Sequence, residues 1–206
     1  MADIHKYTTI VAPGIGDFRD RGSKFLGFSY PISNTEDVKE RLQVLKRDHP
    51  KAAHHCYAYR LDIDGIQFRA YDDGEPAGSA AKPILGQIDS MGLTNVLVVV
   101  VRYFGGSLLG VPGLINAYKT ATELSLQDVP KAEKWVEDIY NIDFDYPVMG
   151  EVLYQLKQAD ATIYQQELQL FCAIKAGIPR MHSRSYVQKL SEIRSVKLTP
   201  APKTTT

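Results

Sequence analysis

The sequence predicts an α+β protein built as two small domains. Three observations carry this expectation: an aliphatic run from Val96 to Val101 with no alternation, helical spacing on both sides of it, and a fresh strand-and-helix pattern after Pro130. A run with no polar face is a strand buried on both sides, and such a strand needs helices above and below it.

Tyr7-Thr8-Thr9 leading into Ile10-Val11 reads as a first strand that breaks at Pro13-Gly14, and the aromatic-rich stretch 23–32 reads as a second, together a hairpin. Ser33-Asn34-Thr35-Glu36 offers capping residues ahead of Val38, Leu42 and Leu45, which line one face of a helix ending near Pro50. Residues 53–61 alternate, and Asp64-Gly65 turns them into a partner strand at 66–71. Pro83 suits the first turn of a short helix through Ile84, Leu85 and Ile88, ended by Met91-Gly92. Beyond the buried strand, a helix from about Pro112 carries Leu114, Ile115, Tyr118, Ala121, Thr122 and Leu124 at helical spacing and stops before Pro130.

Pro130 is the expected boundary, giving domains at 1–129 and 130–198 and a disordered tail at 199–206. In the second domain the expected order is a strand at 135–146, a helix at 148–158, strands at 162–168 and 170–176, a helix at 182–193 and a strand at 196–198. This βαββαβ order is that of a ferredoxin-like fold, two helices over one face of a four-stranded sheet. The open face has candidate aromatics in Trp135, Tyr140, Phe144, Tyr146, Tyr164 and Phe171, without the glycine–aromatic pattern of an RNA-reading platform.

Twenty-four Lys and Arg balance twenty-four Asp and Glu, so no global field draws the chain to nucleic acid or an anionic membrane. Two cysteines, Cys56 and Cys172, are too few for a disulfide framework or a four-ligand zinc site, and no cofactor or metal is expected. The start lacks a long apolar stretch, and residues 96–101 are too short to span a bilayer, so the expected compartment is the cytosol.

Four constellations could carry function. Tyr71-Asp72-Asp73-Gly74-Glu75-Pro76-Ala77-Gly78-Ser79 crowds three carboxylates onto one turn, either as a solvated turn with a helix cap or as a site balanced by an arginine or a metal. The stretch 102–113, with Arg102, Tyr103, Gly105, Gly106 and Gly110, ends a buried strand and opens a helix, where ligands and anions are often received. Its glycines also suit tight packing, with Arg102 pairing Asp72 or Asp73. His54 and His55 are neighbours on a strand and point to opposite faces, so they cannot chelate one metal together, while His54 and Cys56 share a face. The packed-thiol reading of Cys56 is favoured over a nucleophile. Last, Lys175, Arg180, Arg184 and Lys189 belong to a basic final stretch that would contact RNA phosphates or serve as a solvated helix face.

At these residues the sequence resembles the YigZ/IMPACT family, through Ala53-His54-His55-Cys56, the 72–78 run and the stretch 99–113, over about residues 7–129. Two departures stand out: members usually carry Gly-Thr-Ala-Gly-Lys-Pro where this chain has Gly78-Ser79-Ala80-Ala81-Lys82-Pro83, and Gly-Gly-Leu where it has Pro112-Gly113-Leu114. The resemblance implies an N-terminal α/β sandwich similar to domain 2 of a small-subunit ribosomal protein and a C-terminal domain similar to the last domain of elongation factor G. It also implies a link to translation, since eukaryotic IMPACT proteins are translation regulators that bind a partner in the amino-acid-starvation pathway. Expected partners are RNA, the ribosome or a regulatory protein. The competing expectation is a small hydrolase or phosphate-handling enzyme using Asp72, Asp73 and Glu75 with Arg102, with no catalytic residue assigned.

Overall fold

The computed structural model describes residues 5–63 and 66–201. The chain divides into two compact units, one over Tyr7–Lys134 and one beginning at Trp135. The first unit has strands β1 (Lys6–Ile10, whose first residue groups with the second unit), β2 (Gly14–Asp20), β3 (Ser23–Pro31), β4 (His54–Leu61), β5 (Gln67–Tyr71), β6 (Val96–Tyr103) and β7 (Lys131–Trp135, whose last residue likewise groups with the second unit). Its helices are α1 (Thr35–Asp48), α2 (Ala81–Ser90) and α3 (Gly110–Gln127).

Five of these strands form one sheet in the order β2-β3-β6-β4-β5, every neighbouring pair antiparallel. Central β6 explains the missing alternation: Val96, Val98 and Val100 pack with Ile84 and Ile88 of α2 and Leu114, Ala117, Tyr118 and Ala121 of α3. Leu97, Val99 and Val101 face the other way, against Val38 and Leu45 of α1. Helix α1 begins as expected, the Asn34 side chain accepting the Asp37 N–H at 2.9 Å.

The expected first hairpin is corrected. β3 pairs with β2, while β1 lies beside β7 in a separate two-stranded sheet, which attaches 131–135 to β1 and carries the break past Pro130. Gly14 and Gly16, which look like strand breakers, are where α3 comes closest. A Cβ at Gly16 would lie 2.6 Å from the Ser125 nitrogen, and Gly27, its partner across the hairpin, faces the Ala121 carbonyl. The α3 stripe also differs from expectation. Leu114, Ala117, Tyr118, Ala121, Thr122 and Ser125 are buried, whereas Ile115 and Leu124 are exposed, since the helix turns only one face to the sheet.

The second unit contains β8 (Glu137–Asp145), α4 (Met149–Gln158), β9 (Thr162–Leu168), β10 (Phe171–Pro179), α5 (Arg180–Glu192) and β11 (Lys197–Pro200). Strand order β11-β8-β10-β9 with antiparallel pairing throughout is the ferredoxin-like arrangement. Ile142, Phe144, Cys172, Ile174, Ala176 and Ile178 face the helices, meeting Val152, Leu156 and Leu190. Thr199 and Pro200, expected in the tail, close β11, while 202–206 and the Asp64-Gly65 turn lie outside the described residues.

Candidate functional site

Arg102 of β6 and His54 of β4 are cross-strand partners at the edge of the first unit's core, on the face that packs α2 and α3. The turn after β5 comes over them, with Asp73 and Gly74 in the left-handed region at φ 46° and 88°. Each of its three carboxylates has a different task. Asp72 accepts the amides of Gly78 (2.9 Å), Ala80 (3.1 Å) and Ala81 (2.8 Å), and so caps α2 from outside the helix. Asp73 accepts the His55 backbone N–H at 2.7 Å. Glu75 points inward: its Oε1 accepts Arg102 Nη1 at 2.5 Å and the Tyr118 hydroxyl at 2.8 Å.

The Glu75 and Arg102 side chains are 3% and 6% exposed, so each charge depends on the other. The expected compensation of Arg102 is present, with Glu75 as its partner in place of Asp72 or Asp73. The guanidinium also lies 5.4 Å from the Phe25 ring centroid and 5.6 Å from that of Phe104. His54 Nδ1 bonds the Asp73 carbonyl at 2.8 Å; a carbonyl only accepts, so Nδ1 carries the proton there and Nε2 turns toward Glu75 at 3.8 Å. Cys56 Sγ donates to the Asp72 carbonyl (2.9 Å) and lies 3.3 Å from the Tyr118 hydroxyl. Burial pushes both the Cys56 thiol and the Tyr118 phenol well above their ordinary values, so both stay protonated and Cys56 is no nucleophile at neutral pH.

The structure therefore gathers His54, Asp72, Asp73, Glu75 and Arg102. It does not gather His55 or Tyr103. Both face α1, where the Tyr103 hydroxyl meets His49 Nδ1 at 2.9 Å. Gly105 serves packing: its N–H donates to Ser23 Oγ at 3.1 Å, and a Cβ there would strike the Gly22 backbone. Gly106 and Gly110 take φ of 88° and 70°, bending the connection into α3. Ala81 and Pro112 fall inside α2 and α3 and do not have positive φ, so these departures require no glycine-like freedom.

This geometry gives the three acids of the hydrolytic expectation separate tasks and does not favour that set. The Asp72 and Asp73 carboxylates are spent on backbone amides, and among the described residues no group of three or more metal-ligating side chains converges. If Asp72 is replaced by alanine, three amides at the start of α2 lose their acceptor. A loss of about 2 kcal/mol in urea unfolding is the expected result, with Asp72→Asn intermediate because it keeps one acceptor.

The basic set is divided as well. Lys175 alternates with the core residues Ile174 and Ala176 and so lies on the sheet face opposite α5, sharing it with Asp143 and Glu167 of the neighbouring strands. Arg180 pairs with Asp138 at 3.2 Å and Lys189 stacks over Tyr186, both through α5. Lys175 is thus separated from Arg180, Arg184 and Lys189 of α5, and the four do not make one patch. Of the aromatics, Phe144 is core, Tyr140 packs against that core, and the Tyr164 hydroxyl donates to Glu137 at 2.6 Å.

Sequence reasoning singles out the stretch 102–113 for its arginine and glycines, but not the apolar side chains exposed in it and just after it. In the connection after β6 and the first turns of α3, Phe104 is 51% exposed, Leu108 83%, Val111 49% and Ile115 40%. The available signal was that Leu108 and Val111 precede the buried helical stripe, in a glycine-flanked stretch with no face to bury them.

Residues 21–126 match the Impact N-terminal domain, a span that holds the whole cluster. The chain belongs to the IMPACT family. The IMPACT family member YigZ of Escherichia coli (strain K12) is 31% identical over 172 residues, covering 82% of this chain and 84% of that one. A Saccharomyces cerevisiae protein described as a protein IMPACT homolog is 37% identical over 109 residues, 50% of this chain and 42% of that one. The crystal structure of a hypothetical protein superposes with a TM-score of 0.74 at 28% identity, covering 96% of this chain and 98% of the other, so the fold similarity extends across nearly the whole chain. No helix among the described residues is long and apolar enough to cross a membrane.

Proposed function

We propose that this IMPACT-family chain is a translation-associated regulatory protein of the cytosol that acts by binding a protein partner through the β6–α3 connection. The observation that carries the reading is the exposure of Phe104, Leu108, Val111 and Ile115 beside a cluster whose buried Arg102 charge is paired with Glu75. Exposed large apolar side chains gathered in one connection favour a protein partner, whereas a phosphate-binding surface would expose cations. The buried Glu75–Arg102 pair serves this reading as a rigid support, its guanidinium lying against the Phe104 ring. The translation role comes from the family: eukaryotic members work by engaging a partner, and the ribosome or a ribosome-associated regulator is the natural target.

The test is co-purification on the full chain from lysate, with and without nuclease. Capture of ribosome-associated protein that survives nuclease, and that drops at least tenfold with Leu108→Asp/Val111→Asp, is the expected result. Nucleic acid retained equally by that variant would replace this reading with RNA binding. Phosphate-ester turnover lost in Glu75→Gln would replace it with the enzyme.

A further inference from the structure

The sheet of the second unit is covered on one face by α4 and α5, and its other face carries a groove of about 370 Å³. Register fixes what lines it. Glu167 of β9, Ala173 of β10, Asp143 of β8 and Lys197 of β11 stand in one row across the four strands, and Phe171 and Asp145 stand opposite each other one step along. Phe171 and Ala173 alternate with the core residues Cys172 and Ile174, so these side chains face away from the helices. Ala173 is the low point of the row. Its methyl leaves a gap between the Phe171 ring and Lys175, with Glu167 and Asp143 on the strands to either side, about 10 Å apart by strand spacing. Phe171 is 77% exposed and so forms an aromatic wall largely free of packing.

We propose that this open sheet face is a docking surface for a basic, extended segment of a protein partner, with an arginine of that segment seated over Ala173. Charge selects the occupant. Glu137, Asp143, Asp145 and Glu167 stand on this face with Lys175 and Lys197, four negative charges against two positive, so a cationic chain is attracted and a nucleic-acid backbone repelled. Shape narrows the choice. Among the described residues no group of three or more metal-ligating side chains converges, so the carboxylates are too widely spread for a metal ion and suit a cation on a long side chain. A guanidinium fits best, because it is planar, lies flat on an aromatic ring and forks its donors towards carboxylates, here from Phe171 towards Asp143, Asp145 and Glu167. The approach is open, since β9 is the edge of the sheet and all seven of its residues are exposed.

The test is fluorescence anisotropy of the full chain with a short labelled peptide of alternating arginine and serine. Asp143→Asn/Glu167→Gln is expected to weaken binding at least tenfold, whereas the charge-matched control Glu151→Gln/Glu192→Gln, on α4 and α5, changes it less than twofold. Phe171→Leu keeps an apolar side chain but loses the ring face, and is expected to weaken binding at least threefold. A lysine–serine peptide should bind at least twofold more weakly than the arginine–serine one, since an ammonium neither stacks nor forks. All five altered positions are exposed, so far-ultraviolet circular dichroism of the variants should match that of the parent. No saturable binding of the arginine peptide, equal losses in the acid pair and the control pair, no response to Phe171→Leu, or displacement of the peptide by single-stranded RNA overturns the proposal.

Discussion

Replacing Glu75 by alanine is expected to destabilise the first unit by about 3–5 kcal/mol, because it strands the Arg102 guanidinium in a site with almost no water access. The Tyr118 hydroxyl loses its acceptor in the same step. The diagnostic comparison is the pair replacement Glu75→Leu/Arg102→Met. It removes both charges and fills the space with apolar groups, so most of the lost stability should return. Urea unfolding followed by far-ultraviolet circular dichroism measures both, and the cycle gives the coupling between them. If Glu75→Ala costs less than about 1 kcal/mol, the guanidinium reaches water in solution and the pair is not the support of the Phe104 surface.

Gly27→Ala is the second large effect, expected at about 3 kcal/mol or more. The new methyl would run into the Ala121 carbonyl of α3, a backbone atom that cannot rotate aside, so sheet and helix must part. The same substitution at Gly86 is expected to do the reverse. Gly86 lies on the exposed side of α2 with nothing within 4 Å of an added Cβ, so alanine there stabilises by roughly 0.5–1 kcal/mol through helix propensity. Thermal unfolding of the two variants side by side separates close helix–sheet approach from a general intolerance of the fold to losing glycine.

Much of the architecture was legible along the chain because it is encoded in local spacing. The unbroken Val96–Val101 run announces a strand with helices on both faces, and the βαββαβ alternation announces the ferredoxin-like unit, whose strand order follows from that topology. The need to compensate Arg102 was equally readable, since a charge at the end of a doubly buried strand must be met. Which of the three neighbouring carboxylates meets it was not readable. Asp72, Asp73 and Glu75 are near neighbours in sequence, and only the left-handed turn at Asp73-Gly74 sends two of them to backbone amides and the third to Arg102. The same limit hid β2, whose glycines look like breaks until α3 is placed against them. It also hid the division of Lys175 from α5, since strand alternation separates residues that sequence puts close together. Period and composition report what each residue prefers, but which atoms meet across a hundred residues of chain depends on how helices and turns are laid over the sheet, and that only the tertiary structure decides.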